Sequence, residues 1–299
     1  MSLMLIDSAS LWYRAYYGMP DTLRSPSDEP INAIKGFIDM SARLILHYQP
    51  DQIVLCLDGD WRPSWRVELF PAYKLNRVDE TGEEEEPDLL TPQIPHILDF
   101  FDAVGFPIIG VDDAEADDVI ATLATRSPGP VRIVTGDRDL FQLVDDSRDV
   151  KVVYLAKGIS AHDLVNRDWI QEKYSIPGER YALFAMIRGD SSDGLPGIKG
   201  IGEKGAAAIA AEFSSMDEVI SAAQSEDERL HPTHRKRILA DLMYATIVTE
   251  LVSCSRNLAL PDFPLKKSGS PADAKALLTM KNELGLGASV DRLISALQW

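Results

Sequence analysis

The chain has 299 residues, 45% of them hydrophobic, enough to bury one large core or two modest ones. Its formal charge of −17, from 47 acidic and 30 basic side chains, argues against a phosphate-binding surface spread over the whole molecule, because such binding depends on Lys and Arg. No run of about eighteen apolar residues exists, so no membrane span is expected, and the two cysteines, Cys56 and Cys254, read as free thiols of a reducing cytoplasm rather than as a disulfide or zinc site.

Short apolar runs bounded by turn residues read as buried parallel strands. The first, Leu3 to Ile6, ends at Asp7. A helix is expected from roughly Ala33 to His47, with Ile34, Phe37, Ile38, Ala42, Ile45 and Leu46 as its apolar stripe. Strand Ile53 to Leu57 follows and ends at Asp58. From Asp60 to Pro92 the periodicity is lost. That stretch holds Trp61, Trp65 and Tyr73, the cations Arg62, Arg66, Lys74 and Arg77, and the run Glu83 to Glu86. It reads as a long loop or broken helices, with the glutamates as solvated surface. Next come a helix near Pro92 to Val104, strand Pro107 to Val111, helix Ala116 to Thr125 opened by Glu115, Asp117 and Asp118, strand Val131 to Thr135 followed by Asp137 and Asp139, and strand Val150 to Leu155. The alternation predicts an α/β fold with a mostly parallel sheet joined by crossovers.

From about Val165 the strand signals vanish, which places a boundary near 160 between an α/β core (1–160) and a helical region (161–299). Expected helices are Trp169 to Tyr174, Glu179 to Arg188, Lys204 to Glu212, Met216 to Ala223, His234 to Leu251 and Ala272 to Leu284. Between the second and third lies the acidic pair Asp190 and Asp193, then Pro196 and the glycine-rich turn Gly197 to Gly202. Two helices joined by such a turn, over about 186–212, can present backbone N–H groups and a helix N-terminus to phosphate. A basic cluster, His234 to Arg237, stands further on.

Nine carboxylates therefore fall in five clusters: Asp7; Asp58; Glu115, Asp117 and Asp118; Asp137 and Asp139; Asp190 and Asp193. Taken singly, these are ordinary helix-start, turn or capping acids. Taken together, Asp7, Asp58 and Asp137 stand at or just past strand ends, where open α/β sheets bind ligands. Acids converging there would repel one another unless a hard cation held them, so the expected ligand is a divalent ion, magnesium or manganese, bound through oxygen and water.

In order along the chain, Leu5-Ile6-Asp7-Ser8 with Tyr13-Arg14-Ala15, Asp58-Gly59 with Arg66, and Tyr73 to Arg77 resemble the opening of the bacterial and phage 5′ nucleases. Glu115 to Ala124 resembles that family's signature helix, Val134 to Asp139 its next metal-binding loop, and Gly189 to Gly197 with Gly200-Ile201-Gly202 its helix-hairpin-helix entry. The resemblance covers residues 4 to about 260 and is shared by the nuclease domain of DNA polymerase I and by free-standing flap endonucleases. It implies a PIN-like sheet with a helical hairpin region. It also implies a two-metal phosphodiesterase that cleaves 5′ flaps and 5′ ends of DNA, RNA primer remnants included, as a monomer in the bacterial cytoplasm at the nucleoid, coupled to polymerase and ligase. Carried over by position, Asp7, Asp58, Glu115, Asp117, Asp118 and Asp139 hold the first metal region, and Asp137, Asp190 and Asp193 complete the second. Lys74 and Arg77 become the cations of an arch over about 60–92 that neutralise the scissile phosphate. Tyr73 stacks on a base, and Arg14 and Arg66 meet DNA. Ser192, Lys199, Gly200, Gly202 and Lys204 grip the duplex with a bound potassium ion.

Ser8 stands where the family has glycine, Gly194 where it has asparagine, and the acidic stretch Asp79 to Asp88 where the arch continues. None removes an expected metal ligand. Alternatives are a PIN-type ribonuclease, which would lack the hairpin and arch, a catalytically silent DNA-binding protein, which would have lost acids, and a severed polymerase domain. The hairpin, the arch and all the acids are present and the 299 residues hold no polymerase segment, so a free-standing enzyme is expected.

Overall fold

The structure is a computed structural model and describes residues 1–79, 82, 87, 89–263 and 269–299; the run Glu83 to Glu86 and most of the acidic stretch around it lie outside the described residues. Strands β1 (Leu3–Asp7), β2 (Gln52–Cys56), β3 (Ile108–Ile109), β4 (Val131–Thr135), β5 (Val150–Tyr154) and β6 (Asp163–Val165) form one sheet in the order β3-β2-β1-β4-β5-β6. The first five strands pair in parallel and β6 closes the far edge antiparallel to β5. The expected strand Pro107 to Val111 is reduced to two residues, since Pro107 has no N–H to donate to a ladder. Strand β6 has no counterpart in the expectation, because three residues, Asp163-Leu164-Val165, are too few to carry a period.

The helices of the first half are α1 (Ser8–Gly18), α2 (Asn32–Tyr48), α3 (Ser64–Leu69), α4 (Gln93–Val104) and α5 (Ala116–Arg126). Those of the second half are α6 (Arg167–Tyr174), α7 (Tyr181–Arg188), α8 (Glu203–Glu212), α9 (Met216–Gln224), α10 (Pro232–Ala240), α11 (Leu242–Val252), α12 (Ala274–Glu283) and α13 (Gly287–Leu297). Helix α1 was not expected: it starts at the metal-ligand candidate Asp7, which doubles as its N-cap. The single helix expected over His234 to Leu251 is broken at Asp241, the shared cap of α10 and α11. No described helix is long and apolar enough to cross a membrane.

Alternate residues of β1 face opposite layers, so the strand is apolar throughout. Leu3 and Leu5 join a core with α5, α7, α8, α9 and α11, whereas Met4 and Ile6 join a core with α1, α2, α4, α12 and α13. The last two helices thus return to the first half, where Leu277, Val290, Leu293 and Leu297 pack with Phe37, Phe100 and Phe101, and Arg292 pairs with Asp39 of α2 at 2.7 Å. On the opposite face, the helices that carry the glycine-rich turn share one continuous core with the sheet.

The chain runs β1 to β3 outward on one side of β1 and then crosses to β4 on the other, so the order reverses between β1 and β4. Crevices for ligands open outside the strand ends at such a reversal.

Candidate metal centre and nucleic-acid interface

At this reversal the structure opens a cavity of about 910 Å³ lined by Asp7, Asp58, Glu115, Asp117, Asp137, Asp139 and Asp193, together with Arg14, Arg66, Tyr73, Lys74 and Arg77. Each acid is held by its local fold. The Asp7 carboxylate caps α1, accepting from the Ser10 N–H at 3.1 Å, while its other oxygen accepts from the Thr135 hydroxyl at 2.6 Å. Asp58, just past β2, accepts from the N–H of Ala116 at the start of α5, 2.8 Å away. Asp137 accepts from the Asp139 N–H at 2.8 Å, and its own N–H donates to Thr135 Oγ1 at 2.9 Å. Glu115 is the N-cap of α5 and forms a capping box with Asp118.

Burial is the main force on these groups. Despite the bonds from Thr135 and Ser10, burial with Asp58 and Asp137 nearby pushes Asp7 up to about 7. Asp117 is pushed well above the ordinary carboxylate value by burial, then by Asp137, Asp7 and Glu115. Asp139 is pushed the same way by burial and by Asp137, Asp193 and Asp190, and its Oδ1 is buried without a hydrogen-bond partner. Crowding in the cavity also raises Asp58, although its side chain stays open to solvent, and burial raises Asp193 to about 6. Buried, mutually repelling and incompletely satisfied carboxylates are what a hard cation relieves. Among the described residues no group of three or more His, Cys, Asp or Glu is drawn tightly enough to ligate one ion directly. The donor set still fits magnesium-type binding, in which one or two carboxylates touch the ion and the rest act through its waters.

Two of the nine acids stand apart from the cavity lining. Asp118 is 1% exposed and lies against Arg66, whose two terminal nitrogens donate to its two oxygens at 3.0 and 3.1 Å; the Ser255 N–H adds a bond of 2.6 Å. Both of its oxygens thus already have hydrogen-bond partners. Asp190 accepts from the Ser192 N–H at 2.8 Å and from its hydroxyl, and lies 3.6 Å from Arg138 and 3.5 Å from Arg188. Although burial alone would raise it, these partners hold its carboxyl below the ordinary value.

The segment after Asp58 also departs from expectation. Arg66 is 2% exposed and pairs with both Glu115 and Asp118, so it does not face a DNA surface. Tyr73 is 3% exposed, with its hydroxyl donating to Glu115 at 2.9 Å, so its ring packs in the core and is not offered to a base. Lys74 pairs with Glu115 and donates to the Trp61 carbonyl at 3.1 Å. Burial works against its charge, yet Glu115 and Asp193 raise its pKa. Arg77 pairs with Asp193 at 2.6 Å and donates to the Ser192 carbonyl at 3.1 Å, and the Lys74 N–H donates to the Asp193 carbonyl at 2.9 Å. These bonds stitch the segment to the entry of the glycine-rich turn. Gly194 allows the approach: at φ 70°, an added Cβ would stand 2.6 Å from the Ala72 carbonyl. Arg14 is half-buried beside Gly136, which lowers its pKa, and its Nε has no hydrogen-bond partner.

Beyond Asp193 the turn is fastened by the Ile198 N–H donating to the Ile187 carbonyl at 2.9 Å. Lys199, Gly200, Gly202 and Lys204 are all exposed on it, as is Ser192 at its entry. Gly202 caps α8 without a side-chain bond, which leaves the first N–H groups of that helix open to an acceptor. Behind the turn stands α10: Arg237 donates to the Gly200 carbonyl at 2.5 Å, and the Lys199 N–H donates to Asp241 at 3.0 Å. Four contributors escaped the sequence reading: Thr135, Ser255, Arg138 and Arg188. Only Thr135, at a strand end beside Asp137, carried a visible signal.

Comparison with known proteins bears on the family and the fold. A family model described as 5′-3′ exonuclease, N-terminal resolvase-like domain, matches residues 2–175, and one described as 5′-3′ exonuclease, C-terminal SAM fold, matches residues 176–273. The chain is 46% identical over 299 residues to a 5′-3′ exonuclease of Streptomyces coelicolor, covering 98% of this chain and 99% of that protein. It is 33% identical over 300 residues to DNA polymerase I of Mycobacterium bovis, covering 99% of this chain but 32% of the polymerase. A solved structure of a phage T5 flap endonuclease in complex with DNA and metal ions shares the fold at a TM-score of 0.65 and 17% identity, over 100% of both chains. With these matches across nearly its whole length, the chain belongs to the 5′-3′ exonuclease family.

Proposed function

We propose that the protein is a structure-specific 5′ nuclease that hydrolyses phosphodiester bonds at 5′ ends and flaps of duplex DNA, using two divalent cations, magnesium or manganese. One observation carries the reading: seven of the nine expected ligand acids line a single cavity at the sheet's reversal point, stitched through Asp193 to an exposed glycine-rich hairpin. Such a cation pair supplies charge that activates water and stabilises the leaving oxygen. Asp7, Asp58, Glu115, Asp117, Asp137, Asp139 and Asp193 would hold it. Lys74, buried in the cavity wall, and Arg77, part-exposed beside it, bring cations to the place where a phosphate gains negative charge. Arg14 offers an unpaired Nε for the neighbouring phosphate. Lys199, Lys204 and the open N-terminus of α8 engage the duplex backbone, with potassium as the hairpin's ion. In this reading the enzyme acts as a monomer at the nucleoid on polymerase products that a ligase then seals. The test is a labelled 5′ flap duplex, with and without manganese, mapped at nucleotide resolution. Metal-dependent cuts at the flap base and inward from 5′ ends are expected; metal-independent cutting, or none on any 5′ structure, overturns the reading.

A further inference from the structure

Asp118 sits at the meeting point of three segments distant in sequence. Its carboxylate receives both terminal nitrogens of Arg66 from α3, at 3.0 and 3.1 Å, and the Ser255 N–H from the irregular segment that follows α11, at 2.6 Å. The same segment is fastened again by the Thr122 hydroxyl donating to the Ser255 carbonyl at 3.2 Å, and the end of α11 by the Gln142 amide donating to the Val252 carbonyl at 3.0 Å. Arg66 in turn reaches Glu115, which also receives Lys74 and Tyr73. A bidentate carboxylate fixes a guanidinium in one plane and one direction. Glu115 is therefore aimed by a cation that Asp118 holds. Helix α11 packs against α7, the helix that leads into the glycine-rich turn.

We infer that Asp118 is a positioning residue and not a metal ligand: through Arg66 and Ser255 it aims Glu115 at the cavity and ties that aim to the helices that carry the hairpin. The inference rests on reading the cavity as a metal centre, so its test separates the two. Manganese binding is counted directly, from the signal of free Mn2+, for the wild-type chain, Asp118→Asn and Asp117→Asn. The wild-type stoichiometry should persist in Asp118→Asn, with affinity changed by less than about threefold. Asp117→Asn should lose a site or weaken it by about tenfold or more, the scale of a lost contact to an ionised group.

A purely structural role is distinguished by rate. At saturating manganese and DNA, well below the melting temperature, Asp118→Asn should cleave about tenfold or more slowly in a single turnover, with DNA affinity unchanged, because a misaimed group costs rate more than binding. Partner swapping gives a second, independent reading. Arg66→Met and Asp118→Asn should each lower the melting temperature, and the double variant should lose less than the sum of the two, because neither partner is then left buried alone. Loss of manganese from Asp118→Asn comparable with that from Asp117→Asn overturns the positioning role alone. An unchanged turnover rate, or additive losses in the double variant, also overturns it. A wild-type chain that binds no manganese overturns the metal reading itself.

Discussion

The Thr135 hydroxyl donates to Asp7 across the β1–β4 pair at 2.6 Å while accepting from the Asp137 N–H at 2.9 Å. One fully buried hydroxyl therefore links the acids at the two strands between which the sheet order reverses. Its bond to Asp7 favours the charged carboxylate against the burial that opposes it. Without that bond, the crevice would hold Asp7 more firmly as the neutral acid.

Thr135→Val keeps the shape and removes both bonds. It should lower stability by about 1 kcal/mol, since the part-buried Asp137 N–H loses its acceptor. It should also weaken manganese binding at neutral pH, because Asp7 must give up a proton that it now holds more tightly. Denaturant unfolding and a manganese titration check the two effects; intact affinity would show that Asp7 does not contribute to the ion.

The carboxylates also set a pH dependence without metal. Asp7 titrates near 7 and Asp193 near 6 in the folded chain, against an ordinary 3.8. Between 3.8 and those values the folded state holds protons that the unfolded state has released, so stability from these groups is greatest at the acid end and falls as pH rises through the window. The metal-free chain should therefore lose stability from pH 5 to pH 8 on their account, by an amount on the order of a few kcal/mol. Asp117→Asn, which removes a buried charge pushed up by Asp137 and Asp7, should raise the metal-free melting temperature at pH 8. Manganese should reverse the wild-type trend and stabilise more at pH 8 than at pH 5, since protons compete for its ligands. Melting curves at the two pH values decide both points.

Much of this was legible in the sequence. Apolar runs ended by Asp7 and Asp58, or followed by Asp137, mark strand ends in a sheet buried on both faces, and the parallel core follows from them. Long-range pairing was not legible. That Arg66 turns inward to Glu115 and Asp118, and that Tyr73 is buried beneath them, depends on α3 folding back over α5, which no local periodicity announces. Helix α13 was missed for a related reason: it begins at Gly287, and its stripe of Val290, Leu293 and Leu297 has meaning only against α2.

The hairpin glycines should separate by function. Gly197 has φ 65°, and an added Cβ would lie 2.5 Å from the backbone of Arg188, so Gly197→Ala should destabilise the fold. Around Gly202 nothing lies within 4 Å of an added Cβ. Gly202→Val should therefore leave the free protein's melting temperature within about 1–2 °C and manganese binding intact, while weakening duplex binding by crowding the N-terminus of α8. Wild-type affinity in Gly202→Val would take the duplex off this turn. DNA affinity in the wild-type chain should fall steeply with salt, because the basic surface of so acidic a protein is local.

Lys74 carries the sharpest test, because its two proposed effects have opposite signs. Without metal its ammonium pairs with Glu115, a candidate ligand, and donates to the Trp61 carbonyl. Removing it leaves Glu115 Oε1 with the Tyr73 hydroxyl alone and takes a positive charge away from the site, so Lys74→Ala should bind manganese more tightly than wild type. A cation in the cavity wall acts on a phosphate that gains charge in the transition state, so its loss falls on the chemical step. Single-turnover cleavage should drop by roughly 10² or more, the order seen for one preorganised donor, with duplex affinity changed by less than about tenfold. Glu115 keeps Arg66 and Tyr73, so the fold should survive the change. Tighter metal with slower cleavage would place Lys74 in the reaction. Equal losses of binding and rate would make it an ordinary phosphate anchor, and weaker metal would make it a support for Glu115 alone.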